Sequence, residues 1–350
     1  MNDTPKLASF EFITDIQPHP NADKLDLAKV LGYTCIVGRG DFKPGDVCIL
    51  IQPDTILPEK PWSEMFRKRS SRVRAMKLRG VWSLGIALSP YTFLEGDNSS
   101  FLKYYMMPEN IGKDCSKDIG VTKYEAPVPQ DNSAKGILPS FLRKTDEERY
   151  QNIIDLPWGE EVDITLKIDG MSSTFYCRLH KFETPDLEAV ISTPKDLGAC
   201  SRGMDLKLDC INSYTTAEKK YDILAKLSDY CIKHNVSLAI CGEVHGRSIQ
   251  SSSNNPHSKL NYVDFASFDV FDIDNHHRAF KGSPHYFINV AKELGIPTVP
   301  IIQTAVLTPE LIKYYAEDIS TIDGKPFEGV VVKHSRGSFK CMNLHYDEKK

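Results

Sequence analysis

The chain has 350 residues, 41% of them hydrophobic and 26% charged, and its formal net charge is −4. This length and apolar content fit a globular protein with two domains, and the acidic balance gives no sign by itself of nucleic-acid binding. The sequence contains no run of about 18 apolar residues that could cross a membrane, so we expect no membrane partner.

The cysteines and the first residues indicate a compartment. The nine cysteines include no CxxC pair, and "MNDTPKLASF" lacks the basic head and apolar core of a secretory signal. We therefore expect reduced thiols in the cytoplasm or nucleus, with neither a disulfide framework nor a zinc site.

Residues 8–58 form a series of short β segments: "EFITDIQ", "DLAKVL", "YTCIVG" and "DVCILIQP", separated by Pro, Gly, Asn and Asp. Short strands at this spacing without helices predict a small barrel or sandwich. We place this β domain at residues 1–100 and expect 101–157, with its polar run "APVPQDNSAKG", to be a linker that wraps between domains.

The β domain contains a basic run, "RKRSSRVRAMKLRG", that has no acidic residue. Lysine and arginine often protect a solvated sheet edge, and that is the ordinary explanation. Seven cations exceed that need in an acidic chain, which favours contact with RNA phosphates. The candidate residues are Arg67, Lys68, Arg69, Arg72, Arg74, Lys77 and Arg79, with a weaker group in "RKTDEER" at Arg143, Lys144 and Arg149.

Residues 158–350 alternate strands and helices and predict an α+β domain. The spacing predicts a helix over 216–233 with a capping box at Thr215 and Glu218, and a second helix that begins at Ser283 and Pro284 and ends at Gly295. Strands are predicted at "SLAICGEV", "YVDFASFDVFDI", "FEGVVVKH" and "GSFKCMN".

Lys167 ends an alternating segment from Glu161 and is separated from Asp169 and Gly170 by one residue, Ile168. The position of Lys167 also has a purely structural explanation, because Asp-Gly is a common hairpin turn and lysine is common on solvated strand faces. Other charged residues interrupt apolar strands, where an unpaired charge is costly. They are Glu243, Asp272, Glu328 and Lys340, and Arg202 lies in "CSRGMD".

In this order, Lys-x-Asp-Gly, Ser-Arg, Gly-Glu-x-x-Gly, Phe-Asp, Glu-Gly-x-x-x-Lys and Ser-Phe-Lys resemble the motif set of covalent nucleotidyltransferases. The segments "HPNADKLDLAKVLGYTCIVGRGDFKPGDVCILI" and "VRAMKLRGVWSLGIAL" are similar to ATP-dependent RNA ligases with an N-terminal OB domain, such as the Deinococcus and Naegleria enzymes. The resemblance implies an α+β fold: a small OB-fold β-barrel, then a nucleotidyltransferase domain of the ATP-grasp-like ligase type on antiparallel sheets. It also implies ATP and Mg²⁺ or Mn²⁺ as cofactors, RNA as partner and a monomer.

The resemblance implies that Lys167 forms a lysyl-AMP, that AMP passes to an RNA 5′-phosphate, and that a 3′-hydroxyl then displaces AMP, as in RNA repair. The first step needs a neutral amine, so we expect the pKa of Lys167 to be lowered from about 10.4 towards about 7–8. Roles implied for the other residues are Arg202 and Lys340 in catalysis, Asp169, Gly170, Glu243, Phe271 (on adenine) and Lys333 at the nucleotide, and Glu328 and Asp272 at the metal.

Gly170 is expected to let the backbone approach the nucleotide closely. Strand parity puts Lys333 on the face of its strand that is opposite to the face of Glu328. This predicts a solvent-exposed lysine beside the site as readily as one that contacts the nucleotide. Met342 stands where many relatives carry a second lysine, which puts one phosphate contact in doubt. The alternatives are a capping-type guanylyltransferase and an RNA-binding OB protein with a degenerate catalytic domain. The β domain comes first here, whereas capping enzymes and DNA ligases place it last.

Overall fold

The computed structural model describes residues 6–93, 99–124, 133–184 and 189–346. The chain divides into unit 1, Met1–Pro129 with Tyr150–Asp155, and unit 2, Gln130–Arg149 with Leu156–Lys350. Within the described ranges, no helix is long and apolar enough to cross a membrane.

Unit 1 is built on a strongly curved antiparallel sheet in the order β3-β2-β1-β4-β8. The amide of Leu84 donates to the carbonyl of Thr34 at 2.8 Å, which brings the two ends of this sheet together and nearly closes a barrel. The predicted OB-type β-barrel is confirmed. Its strands are β1 (Ala8–Pro18), β2 (Leu25–Val30), β3 (Tyr33–Gly38), β4 (Val47–Ile51), β5 (Thr55–Ile56), β6 (Met76–Leu78), β7 (Val81–Ser83), β8 (Ile86–Leu88) and β9 (Thr122–Lys123).

Short helices cover one end of this barrel: α1 (Glu64–Arg67), α2 (Ser99–Tyr105) and α3 (Ser116–Ile119). The ring of Tyr105 stacks on that of Phe10, with centroids 5.0 Å apart. Leu102, Ile119 and Val121 are buried in the same apolar cluster, so residues from the predicted linker segment contribute to the core of unit 1.

The "HPNAD" segment supports the hairpin of β6 and β7. The His19 ring lies 3.1 Å from the carbonyl of Leu78, and Asn21 Nδ2 donates to the carbonyl of Arg79 at 2.9 Å. Arg79 has a left-handed φ of 47°, and the side chain of Asn21 satisfies its backbone carbonyl there. The segment therefore shapes the tip of the basic run.

Unit 2 contains two larger sheets, in the orders β10-β15-β14-β13-β16-β17-β18 and β11-β23-β22-β12-β19. Their pairings are antiparallel except for the short parallel pair β11 and β23. The predicted α+β domain on antiparallel sheets is confirmed. The strands are β10 (Ala134–Ile137), β11 (Glu148–Arg149), β12 (Glu161–Lys167), β13 (Met171–Thr184), β14 (Ala189–Ser201), β15 (Met204–Leu206), β16 (Leu238–Gly246), β17 (Val263–Asp272), β18 (His277–Arg278), β19 (Ile301–Val306), β20 (Thr321–Ile322), β21 (Lys325–Pro326), β22 (Gly329–His334) and β23 (Gly337–Met342).

The helix predicted over 216–233 is two helices, α4 (Ser213–Tyr221) and α5 (Ile223–His234). Asp222 separates them because it adopts a left-handed φ of 52°. The capping box is formed by Asn212 and Thr215, so the predicted box at Thr215 and Glu218 is wrong by one turn. Thr215 is the third helical residue, and it bonds back to Asn212.

The second predicted helix is α6 (Phe287–Leu294), and α7 (Pro309–Lys313) follows it. α6 begins after Tyr286, later than predicted from Ser283, and it ends at Gly295, as predicted, with a left-handed φ of 62°. Its buried residues are Phe287, Val290, Ala291 and Leu294, which are the predicted face.

Phe175 anchors the largest core of unit 2. It is fully buried in β13 and meets Phe265 of β17 edge to face, with ring centroids 5.3 Å apart. We expect Phe175→Ala to lower the free energy of unfolding by about 3–5 kcal/mol, since it leaves a cavity between two strands. Urea unfolding measures this. Ile211→Ala, at a side chain that is 93% exposed, is the control and should change stability by no more than about 0.5 kcal/mol.

Candidate active site

Lys167 lies where the chain passes from one sheet of unit 2 to the other. Lys167 pairs with Gly329 at the end of β12, and Met171 pairs with Val244 at the start of β13. The Asp169–Gly170 step is therefore a crossing between sheets, and the hairpin interpretation is wrong. Asp163, on the polar face of β12, is also buried, and it accepts hydrogen bonds from Lys281, Tyr286 and Thr304.

Glycine is required at position 170 by the approach of its backbone to β16. A Cβ there would lie 2.5 Å from the carbonyl oxygen of Val244 and 2.8 Å from Cγ of Glu243. The Gly170 amide also donates to the Glu243 carboxylate. The sequence suggested a close approach to a nucleotide instead, and the observed contact is with the neighbouring strand.

The structure brings Lys167, Glu243 and Glu328 together. Lys167 Nζ lies 2.6 Å from Glu328 Oε2, and the two side chains are 28% and 18% exposed. Glu328 directly precedes β22, whose first residue pairs with Lys167. The amine therefore points into a carboxylate-lined pocket and is mostly shielded from solvent.

The carboxylates keep the Lys167 amine charged. Burial acts to lower the pKa of Lys167, but Glu328, Glu243 and Asp169 outweigh it and raise this pKa above its ordinary value. The expected lowering of the Lys167 pKa is therefore wrong for the protein groups alone, because the charged groups beside this amine are carboxylates. For Glu243, burial together with Glu328 and Asp169 raises the pKa to about 8.

Lys340 and Arg149 lie side by side on neighbouring strands of the sheet that carries Lys167. Lys340 of β23 pairs with Val331 of β22 on one side and with Arg149 of β11 on the other. Burial raises the pKa of Glu328, and the charge of Lys340 opposes that rise. Arg149, predicted to bind RNA, therefore lies beside the strand that carries Lys340. Met342 pairs with Gly329.

Phe271 and Asp272 do not reach this pocket. Phe271 is 5% exposed inside an apolar cluster, so it has no free face for adenine. Asp272 accepts hydrogen bonds from the Asn275 amide and side chain, both at 2.9 Å. In the β16–β17 register Asp272 pairs with Leu238, several residues from Glu243, or on the order of 20 Å along the strands. Both assignments, adenine for Phe271 and metal for Asp272, are corrected.

The first Phe-Asp pair of the same strand, Phe268–Asp269, faces the interior between the sheets. Asp269 Oδ2 lies 2.5 Å from Arg278 Nε and 3.8 Å from Lys333 Nζ. Phe268 is partly exposed, with its ring centroid 5.9 Å from Lys333 Nζ. The register between β16 and β17 shifts here, because Cys241 pairs with Asp269 and Gly242 with Ser267, which leaves Phe268 as the unpaired residue of a bulge in β17.

Lys333 is buried and is not a solvated neighbour. Its side chain is 3% exposed, and its Nζ lies 3.9 Å from Glu147 Oε1 and 3.8 Å from Asp269 Oδ2. Among the described residues, no hydrogen-bond partner of this Nζ is found. Strand parity failed here because both faces of β22 are covered.

Two acids of "RKTDEER" hold cations of the site, although the sequence indicated only a weak basic patch. Glu147 binds Arg278 at 2.6 Å and accepts from Ser338 at 2.8 Å. Burial alone would raise the pKa of Glu147, but Arg278 and Lys333 lower it to about 2. Asp146 binds the Nη2 of Arg202 at 2.8 and 2.9 Å.

Neighbouring acids neutralise part of the basic run in unit 1. Arg67 lies 2.5 Å from Glu59, and Lys68 lies 3.6 Å from Glu64. Arg72 lies 2.5 Å from an Asp54 oxygen and 3.8 Å from the centre of the Tyr124 ring. Arg69, Arg74 and Arg79 are exposed, and no ion pair to them occurs among the described residues.

No group of three or more His, Cys, Asp or Glu side chains is arranged as a metal cage in the part of the chain that the structure describes. The oxygen donors nearest the Lys167 amine are the carboxylates of Glu328 and Glu243, with Asp169 beside them.

Two segments of the chain match known protein families. Residues 160–344 match the family model described as RNA ligase, and residues 7–90 match a model of an OB-fold domain. No curated protein sequence gives a significant match.

Several solved structures of Naegleria gruberi RNA ligase are similar to this chain. A lysine-to-alanine variant with ATP and Mn is 28% identical, covers 97% of this chain and 98% of that one, and has a TM-score of 0.78. The same enzyme with PPi is 28% identical over 98% of both chains, with a TM-score of 0.77. A glutamate-to-alanine variant with AMP and Mn is 27% identical over 97% and 98%, with a TM-score of 0.78.

The buried pairing of Glu147 predicts a pH-dependent loss of stability. Because its pKa is lowered to about 2 from 4.5, its contribution is complete above pH 4.5 and is lost as the pH falls towards 2. We expect Glu147→Gln to cost about 3 kcal/mol at pH 7 and the difference from wild type to shrink below pH 4.5. Urea unfolding at several pH values measures this, with exposed Glu317→Gln as control. A difference that does not change with pH would contradict the pairing.

Proposed function

Because the chain belongs to the RNA ligase family, we propose that it seals 3′-hydroxyl and 5′-phosphate RNA ends, at nicks in duplex RNA, with ATP as the nucleotide. The observation that carries the proposal is the Lys167 amine, 2.6 Å from Glu328 in a shielded pocket. The similar Naegleria enzyme has structures with ATP, PPi and AMP, the small molecules of an ATP-dependent ligation.

In the first step Lys167 Nζ attacks the α-phosphorus of ATP. A phosphorus–nitrogen bond forms, the bond to the β-phosphate breaks, and pyrophosphate leaves with the electron pair. The amine must first give up its proton, which Glu328 and Glu243 hold in place in the free protein. Release of the amine therefore requires that the charge of these carboxylates be compensated from another source.

The pocket fits a divalent cation. Three carboxyl groups, those of Glu328, Glu243 and Asp169, act on the single amine of Lys167, and burial, Glu328 and Asp169 raise the pKa of Glu243 to about 8, so a cation bound there would favour the charged form of Glu243. Mg²⁺ and Mn²⁺ prefer oxygen ligands, and at nucleotide sites one or two carboxylates suffice beside phosphates and water. Glu328 and Glu243 would hold the ion, which when bound neutralises carboxylate and phosphate charge. Lys167 would then lose its proton more easily.

The remaining cations fit the later steps. Lys340, whose charge acts on Glu328, would counter the charge on the α-phosphate. Arg202, held by Asp146, presents a guanidinium suited to the RNA 5′-phosphate that accepts AMP. The 3′-hydroxyl then attacks that phosphate, and AMP leaves. Phe268, partly exposed near Lys333, takes the place of Phe271 as the aromatic residue for adenine.

Self-adenylylation tests the proposal directly. We expect wild-type protein with Mn²⁺ and α-labelled ATP to take up label that survives denaturing electrophoresis. Lys167→Ala and Lys167→Arg should take up none, because neither provides a neutral amine at that point. Lys292→Ala, on the exposed face of α6, is the matched control and should label as wild type does.

Other labelling patterns separate the alternatives. Label from GTP and not from ATP would indicate a capping-type guanylyltransferase. Absence of label from either nucleotide would leave an RNA-binding protein with a degenerate catalytic domain. Conversion of a nicked duplex with a 5′-phosphate into a continuous strand, by wild type and not by Lys167→Ala, tests the sealing reaction itself.

The exposed cations of unit 1 supply the proposed contact with RNA. Arg69→Ala with Arg74→Ala should weaken binding to duplex RNA, because each removes a cation that has no acidic partner among the described residues. We expect the slope of log affinity against log salt to fall by about 2, or about 1 per phosphate contact.

Filter binding between 50 and 200 mM salt, roughly the range in which such slopes are measured, provides this slope. Arg67→Ala is the matched control in the same run, since Arg67 already pairs with Glu59 and should change the slope less. Equal slopes for wild type and the double variant would remove these two arginines from the interface.

A further inference from the structure

Two residues far from Asp169 in sequence hold it from opposite sides. The Tyr346 hydroxyl donates to Asp169 Oδ2 at 2.8 Å, and Asn255 Nδ2 donates to the Asp169 carbonyl at 2.8 Å. Neither Tyr346 nor Asn255 belongs to the motifs that the sequence displays. Tyr346 follows the last motif, which ends at Lys340, and Asn255 lies between two motifs. Asp169 lies in the crossing from β12 to β13, residues 168–170, directly after the Lys167 strand.

Tyr346 reaches Asp169 through a short turn, residues 343–346, that follows β23. Asn343 is buried and anchors this turn: its amide donates to the carbonyl of Glu328 at 3.0 Å, and its Nδ2 donates to the carbonyl of Phe327 at 3.0 Å. The Tyr346 amide then closes the turn on the Asn343 carbonyl at 3.2 Å. The backbone of Glu328 is thus tied to the carboxylate of Asp169 through four residues.

Asn255 belongs to the loop between β16 and β17 and is fully buried. Its Nδ2 also donates to the Gln250 carbonyl at 3.1 Å, and its Oδ1 accepts from the His257 amide at 3.0 Å. Every polar atom of this carboxamide is therefore used to shape the loop and fix it to Asp169. The same loop leaves the strand that carries Glu243.

We propose that Tyr346 and Asn255 are positioning residues, which act through Asp169 to fix the crossing and so aim Lys167 at the site of attack. The inference rests on the proposed function, in which Lys167 is the nucleophile. Gly170 is already held against β16 by its backbone approach to Val244. With Asp169 held at its carbonyl and its carboxylate, the crossing is fixed on three sides, and Lys167 has little freedom to leave its orientation.

Single-turnover adenylylation tests the role of Tyr346. Tyr346→Phe keeps the ring and removes the donor to Asp169, together with the hydrogen bond between the same hydroxyl and Ser252. We expect the rate at saturating ATP to fall by about tenfold, since small displacements of a nucleophile are costly. The apparent affinity for ATP should change by less than about twofold, because the substitution removes no proposed ATP contact. Tyr314→Phe, at a side chain that is 46% exposed, is the matched control and should keep the wild-type rate.

A double-mutant cycle separates positioning from a general loss of structure. If Tyr346 acts through Asp169, Tyr346→Phe should cause little further loss of rate in an Asp169→Ala background, which removes the acceptor of the Tyr346 hydroxyl. Asn255→Asp removes both hydrogen-bond donors of the Asn255 carboxamide without changing the size of the side chain. It should lower the rate of adenylylation at saturating ATP in the same way. Exposed Asn289→Asp is its matched control.

The results distinguish this inference from the proposed function. Label in wild type together with a wild-type rate in Tyr346→Phe would overturn the positioning role and leave the ligase proposal standing. Full additivity with Asp169→Ala would also overturn it. A wild-type protein that takes up no label would overturn the proposed function, and the positioning role with it.

Discussion

The contact between the Lys167 amine and the Glu328 carboxylate is the interaction on which the site depends. It joins the end of β12 to the residue before β22, so the strand register itself determines that the proposed nucleophile and a carboxylate meet. Glu243 arrives from the other sheet, because Gly170 allows the crossing to lie against β16. A site assembled in this way requires both sheets, and neither sheet alone contains the pocket.

The buried charged residues of unit 2 form two groups that differ in the ratio of acidic to basic side chains. Glu147 and Asp269 with Arg278 and Lys333 sum to zero, and such a paired group resists the removal of any member. Around Lys167 the three carboxyl groups of Asp169, Glu243 and Glu328 face two cations, Lys167 and Lys340, and the pKa of Glu243 is raised to about 8. The first group holds strands in place, whereas in the second a bound cation would allow Glu243 to carry its full negative charge.

The sequence was sufficient where one local pattern determines the outcome. Alternation located β12, the Pro, Gly, Asn and Asp separators located the barrel strands, and Gly295 located the end of α6. It was not sufficient where two patterns compete or where distant segments meet. Phe268–Asp269 and Phe271–Asp272 are identical dipeptides three residues apart, and only the register with β16 separates them. Lys333 was misplaced because parity cannot show that both faces of a strand are buried.

The residues that sequence motifs omit have a shared physical role. Asp146, Glu147, Asn255 and Tyr346 each lie on a connecting segment, and each bonds a charged or backbone group of a motif residue or of its buried partner. A catalytic side chain at a strand end has covalent support on one side only, so its orientation depends on contacts from segments distant in the chain. The motifs therefore specify which groups react, while the connections between strands determine where those groups point.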